Sequence, residues 1–374
     1  MKLYIIAGEA SGDLHGSNLI RALKKQNPAV ECRVWGGDLM AAAGGQLVRH
    51  YRDLAFMGFW EVLKNLRTIL GNIRFCKQEL QAFRPDVLVL IDYPGFNLRI
   101  ARWAKRQGIR VVYYISPQIW AWHTSRVHAI KRDVDKMLVI LPFEKAFYDK
   151  YDMDVDFVGH PLLDVLTPDR ASATGAARPG NTIALLPGSR QQEVRRILPV
   201  MLAVTPHFPD YQFVVAGAIS LSAAYYERFL AGYPQVQLHQ GSTYEVLRRS
   251  CAALVKSGTS TLETALIGVP QVVCYAGNSI SFAIAKRVVN VPYISLVNLI
   301  LDRLLVRELI QGELSTRNLR SALANILDKS QAHAIQAGYH ELRQVLGAGG
   351  ASEKAASIIL QMAKDSDTPH TVRR

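Results

Sequence analysis

Two turns in the second half of the chain carry residues of the kinds that hold anions. Leu185-Leu186-Pro187-Gly188-Ser189-Arg190-Gln191-Gln192-Glu193 follows an apolar run with the look of a strand. Its small residues bring backbone N–H groups toward a helix start, where negative charge is favoured. Arg190 offers a planar fork to a phosphate. Standing alone, the same residues also describe a helix cap by Ser189 with Glu193 in the first turn. Val255-Lys256-Ser257-Gly258-Thr259-Ser260-Thr261-Leu262-Glu263 repeats the arrangement. Gly258 admits close approach of backbone to a ligand, Ser257, Thr259 and Ser260 add hydroxyl donors, and the following helix contributes its positive end. Glu263 is placed to accept from a ribose hydroxyl pair, as the acidic residue of dinucleotide folds does. The plain alternative is an ordinary cap with a first-turn acid. Two such turns in one half point together to a nucleoside diphosphate.

The first half offers other groups. Ile91-Asp92-Tyr93-Pro94-Gly95-Phe96-Asn97 ends an apolar run with a carboxylate where a buried strand meets its turn. A partly desolvated carboxylate there can take a proton from an attacking hydroxyl, a role worth about 10²–10⁴-fold in rate. Its alternative is Asp92 as a turn cap. The turn Gly8-Glu9-Ala10-Ser11-Gly12-Asp13 adds Glu9, Ser11 and Asp13, with His15 just beyond, to what is expected to be the same sheet edge. Ser116-Pro117-Gln118-Ile119-Trp120-Ala121-Trp122 sets aromatics beside it, as a stacking platform or as packing. Phe56-Met57-Gly58-Phe59-Trp60 opens an amphipathic segment in which Leu63, Leu66, Leu70 and Ile73 recur at helical spacing beside Lys64, Arg67, Arg74 and Lys77. Such a stripe either faces a core or enters an anionic lipid surface, with Phe56, Met57, Phe59 and Trp60 as the contacts.

Elements of two kinds must position these groups. β-branched or aromatic runs at 3–7, 32–35, 87–91, 110–115 and 136–140 alternate with helix-length stretches. A Pro-, Gly-, Ala-, Ser- and Thr-rich stretch without periodicity, 164–181, reads as a linker. Then strands recur at 182–186, 212–215, 236–238, 252–256 and 271–275. Unbroken apolar runs such as Val87-Leu88-Val89-Leu90-Ile91 belong to parallel sheets covered on both faces. From residue 303 onward only helical periodicity is found, and 365–374 reads as a frayed tail. The expected fold is α/β: two doubly wound, Rossmann-like domains, 1–165 and 180–345, facing across a cleft, with a C-terminal helix and tail at 346–374. In such sheets ligands bind beyond the carboxyl ends of the strands.

A length of 374 residues suits two domains, and 49% apolar with 20% charged residues excludes disorder. No apolar run is long enough to cross a bilayer, and the short one before Glu9 is not expected to be a signal peptide. Cys32, Cys76, Cys251 and Cys274 stand far apart, which fits buried thiols in a reducing cytoplasm. A net charge of +13 suits a polyanionic partner, whether nucleic acid, a lipid surface or a phosphorylated substrate. There is no P-loop spacing, no G-x-G-x-x-G after the first strand and no G-x-S-x-G elbow. Asp152-Met153-Asp154-Val155-Asp156 lacks the glycine and distal glutamate of a calcium loop and alternates like a solvated edge strand.

Together these segments resemble the lipid-A-disaccharide synthase family, two-domain glycosyltransferases of the GT-B type. The resemblance runs from Lys2 to about Leu346. It rests on Ala7-Gly8-Glu9-Ala10-Ser11-Gly12-Asp13, Met57-Gly58, Ile91-Asp92-x-Pro94-x-Phe96-Asn97, Ser116-Pro117-x-x-Trp120-Ala121-Trp122, Leu141-Pro142-Phe143-Glu144, Val158-Gly159-His160-Pro161, Leu186-Pro187-Gly188-Ser189-Arg190 and Ser257-Gly258-Thr259. The segment from Asn298 through Glu308 to Gln311 is similar to the family's donor-site region, with Leu296-Val297-Asn298 in place of Leu-Pro-Asn and Asp302-Arg303 in place of Gly-Arg. The resemblance implies inverting transfer of 2,3-diacylglucosamine from UDP to the 6-hydroxyl of 2,3-diacylglucosamine 1-phosphate. It implies Asp92, with Glu9 and Ser11, as the catalytic set, and Gly188, Ser189, Arg190, Ser257, Gly258, Thr259, Glu263, Asn298 and Glu308 on the UDP-sugar. No metal or cofactor is expected, nor nucleic acid as partner; a cytoplasmic protein on the inner-membrane surface, capable of forming a homodimer, is. Two other readings stay open: another GT-B enzyme such as a UDP-N-acetylglucosamine epimerase, and a basic nucleic-acid-binding protein, which the dispersed Lys and Arg residues disfavour.

Overall fold

The computed structural model describes residues 1–53, 66–122, 124–166, 180–278 and 291–364. The chain divides into two compact units, one built from Met1–Asp164 and the chain from Gly349 onward, the other from Val165–Ala348.

The first unit holds a seven-stranded parallel sheet. Its strands are β1 (Lys2–Ala7), β2 (Glu31–Gly36), β3 (Gln46–His50), β4 (Val87–Ile91), β5 (Arg110–Tyr114), β6 (Lys136–Val139) and β7 (Asp156–Phe157), in the order β3-β2-β1-β4-β5-β6-β7. Helices cover both faces, so β4 is apolar at every position and Val87 through Ile91 are all fully buried. Truncating one of these, Leu88→Ala for example, is the kind of change that costs about 2–5 kcal/mol. The order reverses between β1 and β4, where Ala7 lies opposite Ile91. The turns that begin at Gly8 and Asp92 are therefore neighbours at the topological switch point, the place where doubly wound sheets bind ligands.

The second unit repeats the plan with six parallel strands: β8 (Thr182–Leu186), β9 (Gln212–Ala216), β10 (Val236–His239), β11 (Ser250–Lys256), β12 (Gln271–Tyr275) and β13 (Glu308–Ile310), ordered β10-β9-β8-β11-β12-β13. Its switch point lies between β8 and β11, with Leu186 opposite Val255. The two glycine-containing turns are thereby brought side by side.

Three sequence expectations change. The stretch beyond residue 303 is not all helix: Glu308–Ile310 pairs with β12 as an edge strand before the helices Thr316–Leu327, Lys329–Leu346 and Ala351–Lys364. Three residues are too few to disturb a helical period read over a longer window. Gln46–His50 is a further strand that the sequence does not signal, because Gln46, Arg49 and His50 break the β pattern at an edge position. In the Asp152–Asp156 segment only Asp156 belongs to a strand; Asp152 takes a left-handed turn at φ 52° and Val155 is fully buried.

The final helix, Ala351–Lys364, packs in the first unit against the helix Ala10–Gln26. Lys25 Nζ pairs with Glu353 at 2.7 Å and Gln26 Nε2 donates to the Glu353 carbonyl at 2.9 Å. Asp164 caps it, its carboxylate accepting from the amides of Gly350 (2.6 Å), Ala351 (3.2 Å) and Ser352 (2.9 Å).

Candidate active site

At the first unit's switch point the chain leaves β4 through two non-glycine residues in the left-handed region, Asp92 (φ 44°) and Tyr93 (φ 49°). That conformation costs of the order of 1–3 kcal/mol per residue and persists only where the surroundings fix it. Here the Asp92 carbonyl accepts from Asn97 Nδ2 at 2.7 Å and from the Tyr113 hydroxyl at 2.5 Å, while the Asp92 amide donates to the Ile115 carbonyl at 3.3 Å. The backbone is held on both its carbonyl and its amide, which fixes the direction in which the side chain leaves the strand end. Burial pushes the Asp92 carboxyl up to about 7, with the negative Glu9 adding to the rise and the Tyr93 amide opposing it. A carboxylate that titrates near neutrality suits a general base.

Glu9 stands at the N-cap of the helix Ala10–Gln26, and Ser11 lies in its first turn, partly exposed. Gly8 is required by proximity: a Cβ there would meet the Tyr93 ring at 2.3 Å. Asp13 is occupied elsewhere. Its Oδ1 accepts from the amides of Gly37 (2.8 Å) and Met40 (3.0 Å), and Oδ2 from Leu39 (3.2 Å), so it caps the short helix Asp38–Ala42. His15 is buried and desolvated to about 4, edge-on to His160 with ring centroids 6.4 Å apart; both rings are neutral. Trp120 packs edge-on against Phe143 at 4.9 Å and its Nε1 donates to Glu144 Oε1 at 3.3 Å. These contacts are packing ones, and Glu144, accepting from the amides of Ile140 and Leu141, ties the segment to the turn after β6. Phe56, Met57, Phe59 and Trp60 lie outside the described residues.

The second unit's switch point is made of backbone. Gly188 has φ 109° and Gly258 φ 157°, values that side chains rarely tolerate. Arg190, not Ser189, is the N-cap of the helix Gln191–Val204, and both residues are exposed. Glu193 Oε2 accepts from the amides of Ser189 (3.2 Å) and Arg190 (3.4 Å), and its Oε1 pairs with Lys256 Nζ at 2.8 Å. Gly258 caps the helix Thr259–Ile267 with Thr259 exposed beside it, and the Ser257 hydroxyl donates to the Ile294 carbonyl at 2.9 Å. Glu263 lies on that helix, where Tyr244 donates to its Oε1 at 2.8 Å and burial raises its carboxyl. Asn298 and Glu308 are buried and joined. Asn298 Nδ2 donates to Glu308 Oε1 at 2.9 Å and to the Val306 carbonyl at 2.8 Å, and its Oδ1 accepts from the amides of Leu305 and Val306. Glu308 also accepts from the amides of Ile294 (3.0 Å) and Ser295 (2.9 Å). These two side chains shape the 294–308 segment around the helix Leu296–Leu301.

The profile of the family described as lipid-A-disaccharide synthetase matches residues 3–362. This chain belongs to the lipid-A-disaccharide synthase family. A lipid-A-disaccharide synthase of Syntrophus aciditrophicus (strain SB) is 42% identical over 97% of this chain and 98% of its own length. One from Geobacter metallireducens is 38% identical over 96% and 97%. Solved structures with the same fold are more distant. A UDP-GlcNAc 2-epimerase from Neisseria meningitidis bound to UDP-GlcNAc gives a TM-score of 0.67 at 15% identity, covering 96% of this chain and all of that one. The glycotransferase of kitacinnamycin gives 0.64 at 17% over 97% and 99%. They show the GT-B architecture, two parallel-sheet α/β domains with a helical C-terminal segment.

Within the family pattern the two departures have local explanations. Val297 is fully buried in the first turn of the helix Leu296–Leu301, a position that a proline or a β-branched residue can occupy. Asp302 ends that helix in the left-handed region at φ 50°, the conformation for which glycine is the usual choice. Two residues at the second switch point went unassigned in the sequence. Lys256 passed as the last letter of a strand, although a cation at a strand's carboxyl end was a legible signal. Tyr244 had no signal, since its partner lies 19 residues away.

Proposed function

We propose that this chain moves 2,3-diacylglucosamine from UDP to the 6-hydroxyl of 2,3-diacylglucosamine 1-phosphate with inversion, giving a β(1→6) disaccharide 1-phosphate and UDP. The observation that carries the reading is Asp92: a carboxyl pinned by a strained backbone at a switch point, titrating near 7, in a chain that shares 42% identity with a lipid-A-disaccharide synthase along its length. Asp92 takes the proton of the 6-hydroxyl as that oxygen bonds to the sugar C1. The C1–O bond to the diphosphate breaks, and UDP leaves with the electron pair. A leaving diphosphate needs charge stabilisation more than a proton. Arg190 with the amides of the Gly188 and Gly258 turns is assigned that role, and Glu263 the ribose. Glu9 adds to the rise in proton affinity that burial gives Asp92, and Ser11 follows it in the first turn of the helix Ala10–Gln26. No metal or cofactor enters the scheme.

The acyl chains require a lipid-facing entry. Among the described residues no helix is long and apolar enough to cross a membrane. The helix Leu66–Phe83 leaves Leu70 half exposed, and Arg67 and Arg74 are exposed on the same helix. That supports peripheral attachment to an anionic inner-membrane surface. The reaction is tested by incubating the purified protein with both lipid substrates and identifying the products by mass spectrometry. Formation of the disaccharide 1-phosphate and UDP is expected. Turnover of UDP-N-acetylglucosamine without an acceptor would instead favour an epimerase.

A further inference from the structure

The donor turn of the second unit is already filled by a carboxylate of the protein itself. Glu193 Oε2 lies on the amides of Ser189 and Arg190, the two N–H groups that follow Gly188. A Cβ on Gly188 would fall 2.4 Å from that oxygen, so the space freed by the glycine holds the carboxylate. The same carboxylate reaches across to the neighbouring turn, where Glu193 Oε1 pairs with Lys256 Nζ at 2.8 Å. Lys256 ends β11 just before Ser257 and Gly258, and its Nζ lies 3.7 Å from where a Cβ on Gly258 would stand. Both side chains are mostly shielded, with 24% of Lys256 and 16% of Glu193 exposed. One ammonium therefore lies near both turns of the switch point.

The two amide contacts, at 3.2 and 3.4 Å, are longer than the usual N–H···O distance of about 2.9–3.0 Å. They are weak enough for a stronger acceptor to displace. A diphosphate brings more negative charge and more acceptor oxygens than one carboxylate.

We propose that Lys256 is a binding residue for the donor's diphosphate, and that Glu193 holds its place in the unliganded enzyme, occupying the amides and neutralising Lys256 until the diphosphate takes over both. The proposal rests on the reading that the second unit binds UDP through these turns. It differs from a purely structural capping box in the sign of one effect. If Glu193 competes with the ligand, removing its charge helps binding; if it only caps the helix, removing its charge does not.

The experiment is titration calorimetry with UDP, and with uridine as the ligand without phosphates, on wild type, Glu193→Gln, Lys256→Met and the double variant. Glutamine still fits the third position of a capping box, so Glu193→Gln is expected to fold. UDP is expected to bind Glu193→Gln about threefold to tenfold tighter than wild type, the range of one modest charge interaction. Lys256→Met is expected to weaken UDP by about tenfold, as for loss of a charged hydrogen bond. Its cost should be larger in the Glu193→Gln background, where the lysine is no longer shared. Uridine affinity should stay level across all four proteins. Equal or weaker UDP binding by Glu193→Gln, or no effect of Lys256→Met in either background, overturns the proposal while leaving UDP binding intact. Failure of the wild-type protein to bind UDP at all would instead overturn the donor-site reading beneath it.

Discussion

At the switch point of the first unit the left-handed backbone falls on Asp92, Tyr93 and, across the strand pair, Ile115; at that of the second it falls on Gly188 and Gly258. The same fold element is built from opposite materials. In the first, the proposed functional group is a side chain. Its backbone is forced into a costly conformation and clamped by Asn97 and Tyr113, and burial raises the proton affinity of its carboxyl. In the second, the proposed functional groups are amides. Glycine supplies the positive φ without strain, and side chains such as Glu193 and Lys256 adjust around them. Chemistry that depends on one proton calls for the first design; recognition of a spread-out charge calls for the second. Substitutions at the two places should fail differently.

The largest effect is expected for Asp92→Asn. Transfer activity should fall by about 10²–10⁴-fold, the range for a lost general base. The fold should not suffer. The Asp92 pKa is raised from 3.8 to about 7, so the carboxyl's contribution to stability is fully present below about 3.8 and lost as pH rises through about 7. The neutral asparagine escapes that loss, and its Tm at pH 8 should equal or exceed the wild-type value. A lower Tm would mean that the residue is a turn cap.

Gly8→Ala comes next. Its Cβ would meet the Tyr93 ring at 2.3 Å, so the strained turn must move. A drop in kcat of tenfold or more is expected, with UDP affinity unchanged, read by steady-state kinetics beside calorimetry. Gly188→Ala should show the reverse pattern. The added methyl meets Glu193 at a φ of 109°, so UDP affinity and Tm should both decrease, by about 1–3 kcal/mol in stability. If both glycine variants lost kcat and UDP binding alike, the contrast between the two switch points would dissolve. The smallest effect is expected for Asp302→Gly, which relieves a left-handed residue at a helix end, away from the glycine turns of the second switch point. A gain of up to about 1 kcal/mol in chemical denaturation, without change in activity, is the expected outcome.

Most of the β framework was legible because parallel strands buried on both faces are continuous apolar runs, as Val87–Ile91 and Thr182–Leu186 illustrate. The edge strand Gln46–His50 escaped because exposure removes that signal, and Glu308–Ile310, although buried at Glu308 and Leu309, because three residues are too few to break a helical period. Among the candidate site residues, Asp92, Glu9, Ser189 and Arg190 could be placed because they follow recognisable strands. The use made of other polar residues could not. Asp13 accepts from amides more than 20 residues away, and Asn298 and Glu308 satisfy each other and the loop between them. A sequence shows that a polar residue is available near a strand end. Which donor it satisfies depends on tertiary neighbours that no local period encodes.

The account turns on the proton at Asp92, and the pH dependence of kcat/KM for the transfer reaction tests it most directly. The rate should rise with pH through an apparent pKa near 7 and then level, as the desolvated carboxyl ionises. Glu9→Gln removes the neighbouring negative charge and should move that limb toward lower pH. An acid limb near the ordinary carboxylate value of 3.8, or one that Glu9→Gln leaves in place, would contradict it.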